Sequence, residues 1–506
     1  MCKILKSIFI GSAALAFSAD AAEPIEYRAD ALFGVGNGNL APYYMSANRF
    51  GKLTQTNNAQ LDLGFNRDMD LSKRFTWSYG VEFITGATSS TEYTSRNENI
   101  ENHSERPATI WLQQLYGEIK YRCLYLSAGV KDRVSPMLNF NLSSGDVIQS
   151  GNSRSVPQVR MGFIDFQDIP LTKHFLQIQG EFSYGKFMDK KWYENHFNYY
   201  TGHYNTSGLY HYKRVYFRTN PDKPFSATFG GQFACLFGGD TQYWSKGKLT
   251  KVVKNASDLD AFWQAMLPRD TGTEGYMQGQ SLGSWDINLR YRLKNGAQIK
   301  GYLQNLWEDG SSMGKLNGFD GLWGLEYVAP NKGIISGAVL EYIQMTDQAG
   351  PLHWDPEDEK GTSLSQFQAT GSDNYYNNGF YNSYSYFGKS IGTPFSKEPI
   401  YNLDGDVSYL NTRVKGFHIG LSGDPVQNLS YRFLCSWRKS WGTYTKPLLH
   451  TQECTSFLIE AKYDIKAVKG LSVKGEFSAD FGRLYGNNVG GAFTISYRGL
   501  MNLFNK

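Results

Sequence analysis

Trp285-Asp286-Ile287-Asn288-Leu289-Arg290-Tyr291-Arg292-Leu293-Lys294, then Asn295-Gly296 and a return through Ile299, Gly301 and Leu303, is the stretch on which the fold class turns. Successive side chains of a strand point to opposite faces, so Trp285, Ile287, Leu289, Tyr291 and Leu293 share one side and Asp286, Asn288, Arg290, Arg292 and Lys294 the other. Asn295-Gly296 tolerates the positive φ angles of a tight type I′ turn. On the return strand Gln298, Lys300 and Gln304 form the polar face. Such a hairpin, repeated along a long chain, describes strands that stand between lipid and a wet lumen.

The repetition is present. Alternating segments start at Tyr27, Ala59, Phe75, Trp111, Leu124, Val159, Phe175, Leu209 and Phe225, then come the two strands of the hairpin. Leu322–Ala329, Ile334–Met345, Tyr409–Ser422, Leu429–Trp441, Thr455–Ile465, Leu471–Phe481 and Val489–Tyr497 bring the expected total to about eighteen. Connection lengths sort by parity, apart from the brief last turn Leu484–Asn488 on the long-loop side. Asp70–Arg74, Arg122-Cys123, Ile169–His174, Asn220–Pro224, Pro330–Gly333, Asp424–Asn428 and Lys466–Gly470 are short; Asn37–Thr56, Thr88–Pro107, Ser135–Pro157, Lys190–Gly208, Gly239–Ser281 and Thr346–Gly405 are long. Short turns at one rim and long loops at the other mark an outer-membrane β-barrel, all-β, antiparallel and up-and-down, with both termini on the periplasmic side.

The bulk numbers agree with this class. The chain has 506 residues without an evident linker, and a mean hydropathy of -0.45 with no long apolar run beyond the N-terminus rules out spanning helices. Aromatic residues make up 15% of the chain, which suits interfacial girdles. A net charge of +4, dispersed along the chain, gives no footprint for nucleic acid. Residues 1–21 read as a secretory signal: Lys3 and Lys6, an apolar core from Ile8 to Phe17, and Ala19-Asp20-Ala21 as the cleavage site, leaving 22–506 as the barrel. Of the remaining cysteines, Cys435 and Cys454 lie on adjacent strands but at opposite parity, so no disulfide is expected between them. In the Gly239–Ser281 loop a helix is expected, capped by Ser257, ended by Pro268, with Leu259, Phe262, Trp263, Met266 and Leu267 on one face.

No nucleophile–base set, HExxH or phosphate loop is present, so no enzyme and no cofactor is expected. His196, His203 and His211 have no metal-site spacing, and the acidic run Asp355, Glu357, Asp358 and Glu359 beside His353 and Trp354 suits a solvated loop better than a calcium site. The loops offer aromatic surface instead: Trp192, Tyr193, Phe197, Tyr199, Tyr200 and Tyr204 in one, Tyr375, Tyr376, Phe380, Tyr381, Tyr384, Tyr386 and Phe387 in another. Rings with amides nearby suit sugars, whose apolar faces stack while their hydroxyls bond; equally, such rings pack loops together over the barrel mouth. Arg160, Arg214, Arg218, Arg290, Arg292 and Arg432 share the polar parity; they could attract an anionic polymer, but pairing with lumen acids such as Glu82, Glu326 and Glu460 is the default expectation.

Two motifs carry a family resemblance. Ser143-Ser144-Gly145-Asp146 to Gly151-Asn152-Ser153-Arg154, running into Val156-Pro157-Gln158-Val159-Arg160-Met161-Gly162, is the first; Asp373-Asn374-Tyr375-Tyr376-Asn377-Asn378 followed by Ser385-Tyr386-Phe387-Gly388-Lys389-Ser390-Ile391-Gly392-Thr393-Pro394-Phe395 is the second. Together they resemble the capsule-assembly Wzi family of outer-membrane proteins. The resemblance implies an eighteen-stranded, lectin-like, non-catalytic barrel that binds exported capsular polysaccharide and helps attach it to the cell surface. Expected partners are that polysaccharide, outer-membrane lipid and the capsule-export machinery, with the barrel a monomer. The expected contact set is Arg154, Arg160, Trp192, Tyr199, Tyr200, Tyr375, Tyr376, Asn377, Tyr381 and Tyr386. The alternative is a diffusion channel for anionic or sugar solutes, since eighteen strands can enclose an aqueous path.

Overall fold

The computed structural model describes residues 24–501 apart from 96–101, 268–278, 309, 314–316, 349–351, 354–368 and 371–372; the expected signal segment, Pro268 and the acidic run at 355–359 lie outside the described residues. Alternation is realised as a closed antiparallel barrel. Its staves are β1 (Ile25–Gly36), β2 (Asn58–Arg67), β3 (Phe75–Thr88), β4 (Ile110–Tyr121), β5 (Leu124–Val130) and β6 (Gln158–Phe163, continued by Gln167–Asp168). Next come β7 (Leu176–Lys186), β8 (Leu209–Thr219), β9 (Phe225–Phe237), β10 (Gln280–Arg292), β11 (Gln298–Trp307) and β12 (Gly321–Val328). β13 (Gly337–Gln344), β14 (Val414–Val426), β15 (Leu429–Gly442), β16 (Pro447–Asp464), β17 (Leu471–Gly482) and β18 (Asn488–Met501) complete the ring. The sheet has 19 strand segments, and since both pieces of β6 pair with β7 they form one interrupted stave, so the ring has 18. β1 closes on β18, from Ile25 opposite Met501 to Gly36 opposite Gly490.

The faces are inverted relative to a soluble protein. Outward rows such as Trp285, Ile287, Leu289 and Tyr291 are exposed, as are Phe477 and Phe481, while inward Glu82, Glu181, Asp286, Glu341, Arg438 and Asp480 are buried. That pattern is stable only with hydrocarbon outside, because the closed ring leaves no open sheet edge and the apolar rows have no protein to cover them. Ile25 and Met501 lie at the rim that carries the short turns, and the long loops rise from the opposite rim.

Several local expectations are corrected. Gly296 has φ +89°, but Asn295 does not cross to positive φ; Gly296 N–H bonds Leu293 O at 2.9 Å and Leu293 N–H bonds Ala297 O at 2.8 Å. The turn is thus a type I turn closed by a left-handed glycine, not type I′. Tyr409 is no part of β14: it is fully buried in the loop region, its hydroxyl donating to Tyr384 O at 3.1 Å. The helix of the β9–β10 connection spans Leu259–Met266 and is capped by Asp258, whose carboxylate accepts from Ala261 N–H at 2.9 Å, rather than by Ser257. Cys435 stands opposite Phe457 and Cys454 opposite Arg438, and both thiols are free.

Candidate functional site

Three long loops descend into the barrel and fill it. The segment 135–157 crosses from one wall to the other. Asn288 and Lys300 side chains both donate to Met137 O, Ser143 Oγ and Ser144 N–H both bond the Glu341 carboxylate at 2.6 and 2.7 Å, and His418 Nε2 bonds Leu142 O at 2.7 Å. Its deepest anchor is Asp146, which accepts from Ile148 N–H, Gln149 N–H, Gln232 and Gln304. Gly420 is small for this reason: a Cβ there would sit 2.2 Å from Leu142 O. The β1–β2 loop fills a second sector, where Arg49 forks onto Glu476, Lys52 bonds Asp62 and Glu82, and Tyr43 N–H bonds Asp480. Residues 373–413 fill the third. Asn152 donates to Glu398, Lys389 pairs with Glu398 at 2.7 Å, and Ser150 N–H bonds Ile391 O.

Arg160, Arg214 and Arg432 pair with lumen acids, Arg432 with the expected Glu460, whereas Arg218, Arg290 and Arg292 bond neutral oxygens instead. Arg160 reaches Glu181 at 2.5 Å and Arg214 reaches the same carboxylate at 3.2 Å; Arg432 meets Glu460, while Glu326 takes Lys300. Arg218, Arg290 and Arg292, near the short-turn rim, bond Gln177 Oε1 or Pro221 O.

Above the plug the long loops form a crown. Thr201–Thr206 pairs with Asp240–Ser245, which pairs with Lys248–Lys254, giving a three-stranded sheet outside the barrel. Beside it the helix Lys190–His196 stacks Trp192 on His196 at 4.5 Å, Tyr199 meets Trp244 edge-on at 4.5 Å, and His203 lies 5.6 Å from Tyr243. Tyr200 and Phe380 are exposed. Tyr200 O accepts from Gly247 N–H at one end of the central strand, and Phe380 O accepts from Thr241 at the other.

The expected contact residues divide sharply by exposure. Tyr375, Tyr376, Tyr381 and Tyr386 are buried: in the plug Tyr376 OH donates to Val147 O, Asn317 bonds Tyr375 OH, and Tyr386 packs on Phe187 and Phe387, while Tyr381 O accepts from His203 of the crown sheet. Asn377 is held by both backbone groups of Tyr409, and Arg160 is spent on Glu181 with Tyr212 under its guanidinium. Trp192 and Tyr199 are half-buried, and Tyr200 presents its ring to solvent. Arg154 lies over Trp111 at 4.6 Å and Phe387 at 4.8 Å, and burial among these rings pulls it down to about 10. Trp111 faces inward because a bulge at Gln113 shifts the β3–β4 register, which alternation alone does not reveal. Tyr243 and Trp244 escaped the sequence reading because only sheet pairing brings them to Tyr199 and His203. His196, His203 and His211 are not brought together, and among the described residues no group of three or more His, Cys, Asp or Glu could hold a metal ion.

Asp189, at the start of the 190–196 helix, couples crown and plug, accepting from Phe387 N–H at 3.2 Å. Burial pushes its carboxyl up to about 7 from 3.8. The fold therefore favours the neutral acid, and its stabilising contribution is intact below about pH 4 and lost as pH rises through about 7. Asp189→Asn should flatten the fall of the thermal midpoint between acid and pH 8, a difference on the order of 3–4 kcal/mol. An unchanged pH slope would assign that fall elsewhere.

No family model matches the chain, and no curated protein matches it in sequence. Among solved structures, Wzi, an Escherichia coli outer-membrane protein involved in group 1 capsule assembly and described as a carbohydrate-binding β-barrel, superposes with a TM-score of 0.55 at 12% identity, over 97% of this chain and 87% of that one. Acinetobacter baumannii OccAB4 gives 0.45 at 11% identity over 95% and 98%, and Pseudomonas aeruginosa OccD3 gives 0.42 at 9% over 96% and 93%. The likeness to Wzi shows the fold, a β-barrel of the outer-membrane type.

Proposed function

We propose that this barrel binds an exported capsular polysaccharide at the cell surface and helps attach it there, without catalysing a reaction. The observation that carries the proposal is the division of labour between lumen and loops: the interior is spent on packing three loops, while the crown leaves aromatic rings and amides at its surface. A wall built to pass solutes has no need of a plug anchored by Asp146, Glu341 and Glu476. The fold likeness to a carbohydrate-binding barrel supports the same assignment. Tyr200, Tyr243 and Phe380 are spread along a strand of roughly 15 Å at 3.3 Å per residue, a length suited to a chain ligand rather than one sugar. Trp192, Tyr199, Tyr200 and Arg154 form the contact set; Tyr375, Tyr376, Asn377, Tyr381, Tyr386 and Arg160 hold its frame. The long loops face outward, the termini face the periplasm, and the barrel works as a monomer beside the export machinery.

Each stacking ring is worth about 0.5–1.5 kcal/mol, so Trp192→Ala and Tyr200→Ala should each weaken binding of capsular polysaccharide by roughly three- to tenfold, with the barrel still folded. Titration of the purified protein with polymer checks this, and cells lacking the protein should release polymer into the medium. Full retention of capsule by such cells would overturn the assignment.

A further inference from the structure

The connection between β9 and β10 does not only rise into the crown; part of it folds down the outside of the barrel. Phe225 and Phe229 point outward on β9 and are 54% and 46% exposed, so Phe233, Cys235 and Phe237, of the same parity, point outward too, yet they are buried. On β8 the exposed Val215 marks the outward parity, which puts His211 and Lys213 on the outer wall as well. What covers them is the helix Leu259–Met266. Its small residues Ala261 and Ala265 are buried against Phe233, Cys235, Phe237 and Trp307, and Phe262 lies 5.0 Å from Tyr184 and 5.3 Å from Phe237. Tyr184 OH donates to Phe262 O, and Lys213 Nζ donates to Met266 O, satisfying a carbonyl at the helix end. His211 Nδ1 bonds Ser183 O. His211 is thus sealed from its surroundings, and Lys213 beside it is half-buried.

The opposite face of this helix is apolar and uncovered. Leu259, Trp263 and Leu267, spaced four apart on one stripe, are 81%, 58% and 55% exposed. A loop helix in water buries its large apolar residues; here Ala261 and Ala265 meet the wall beside Phe262, while Leu259, Trp263 and Leu267 are left uncovered. The uncovered stripe continues the lipid-facing belt, since Trp307 under the helix lies 5.9 Å from Trp285, the first of the exposed outward row Trp285, Ile287, Leu289 and Tyr291. Gly283 permits this: a Cβ there would meet the Trp307 ring at 2.2 Å. The strand leading into the helix carries exposed Lys248, Lys251 and Lys254, the sign of charge that an anionic leaflet surface attracts.

We infer that the helix Leu259–Met266 is an interfacial membrane element, seated on the outer wall of β8–β9 at the long-loop rim with Leu259, Trp263 and Leu267 in the acyl chains of the surrounding leaflet. Trp263 sits where indole rings collect at bilayer interfaces. The helix thereby lets polar residues reside on a membrane-facing wall.

The test places a nitroxide at Trp263→Cys in protein whose Cys2, Cys123 and Cys435 are replaced by Ala, reconstituted in phosphatidylcholine–phosphatidylglycerol vesicles, with the parent lacking the new cysteine as background. Oxygen should relax the label more than a water-soluble nickel chelate does, and a label at Lys248→Cys should show the reverse. Equal access of the chelate to both positions overturns the inference. Dipolar broadening at position 263 overturns it in favour of a second copy of the chain. If Trp263→Cys fails to fold, the same comparison at Leu259→Cys decides. Loss of polysaccharide binding leaves these readings unmoved, so the two proposals fail separately.

Discussion

In planar bilayers the intact barrel is expected to carry little steady current, and replacing residues 138–148 by a short Gly-Ser linker should raise single-channel conductance by about tenfold or more. An empty ring of 18 staves encloses a water-filled path. In this protein that path is occupied by loop backbone, held by hydrogen bonds that converge on Glu341, Asp146 and His418 from separate staves. The excised residues also receive the other two loops. Leu138, Val147 and Ile148 share a core with Tyr376, Tyr384 and Phe395, and Ser144 O accepts from the Asn48 side-chain amide of the β1–β2 loop. Losing them unmoors all three sectors. A large steady current through the intact protein would refute the plugged lumen and promote the diffusion-channel alternative.

The second large effect concerns Glu181. Its carboxylate is buried, accepts from Tyr125 OH, and balances both Arg160 and Arg214. Glu181→Ala leaves two guanidinium groups in the lumen without that charge, and removing one partner of a buried pair costs about 3–5 kcal/mol. The denaturation midpoint in urea should fall accordingly. Arg160→Met combined with Glu181→Ala should recover part of the loss, because only Arg214 then remains uncompensated. If the double variant is as unstable as the sum of the two single ones, the pair is not coupled.

Sequence alone determined the membrane barrel, its strand count and the sorting of loops between two rims. Each follows from a local rule: side-chain alternation has a period of two, and short turns are written in Asn, Asp, Gly and Pro. The same rule settled the opposite faces of Cys435 and Cys454. It could not find the bulge at Gln113, because a bulge inserts a residue without changing composition, and Trp111 therefore meets Arg154 unannounced. Nor could it separate rings that face solvent from rings that pack. Tyr200 and Tyr376 look alike in a list of loop aromatics, yet one is exposed and the other is fully buried against Val147. Burial is a property of what arrives from distant chain, and here three loops far apart in sequence arrive in one lumen. Only the tertiary structure decided that the second tyrosine-rich motif builds the plug and that a helix lies outside the wall.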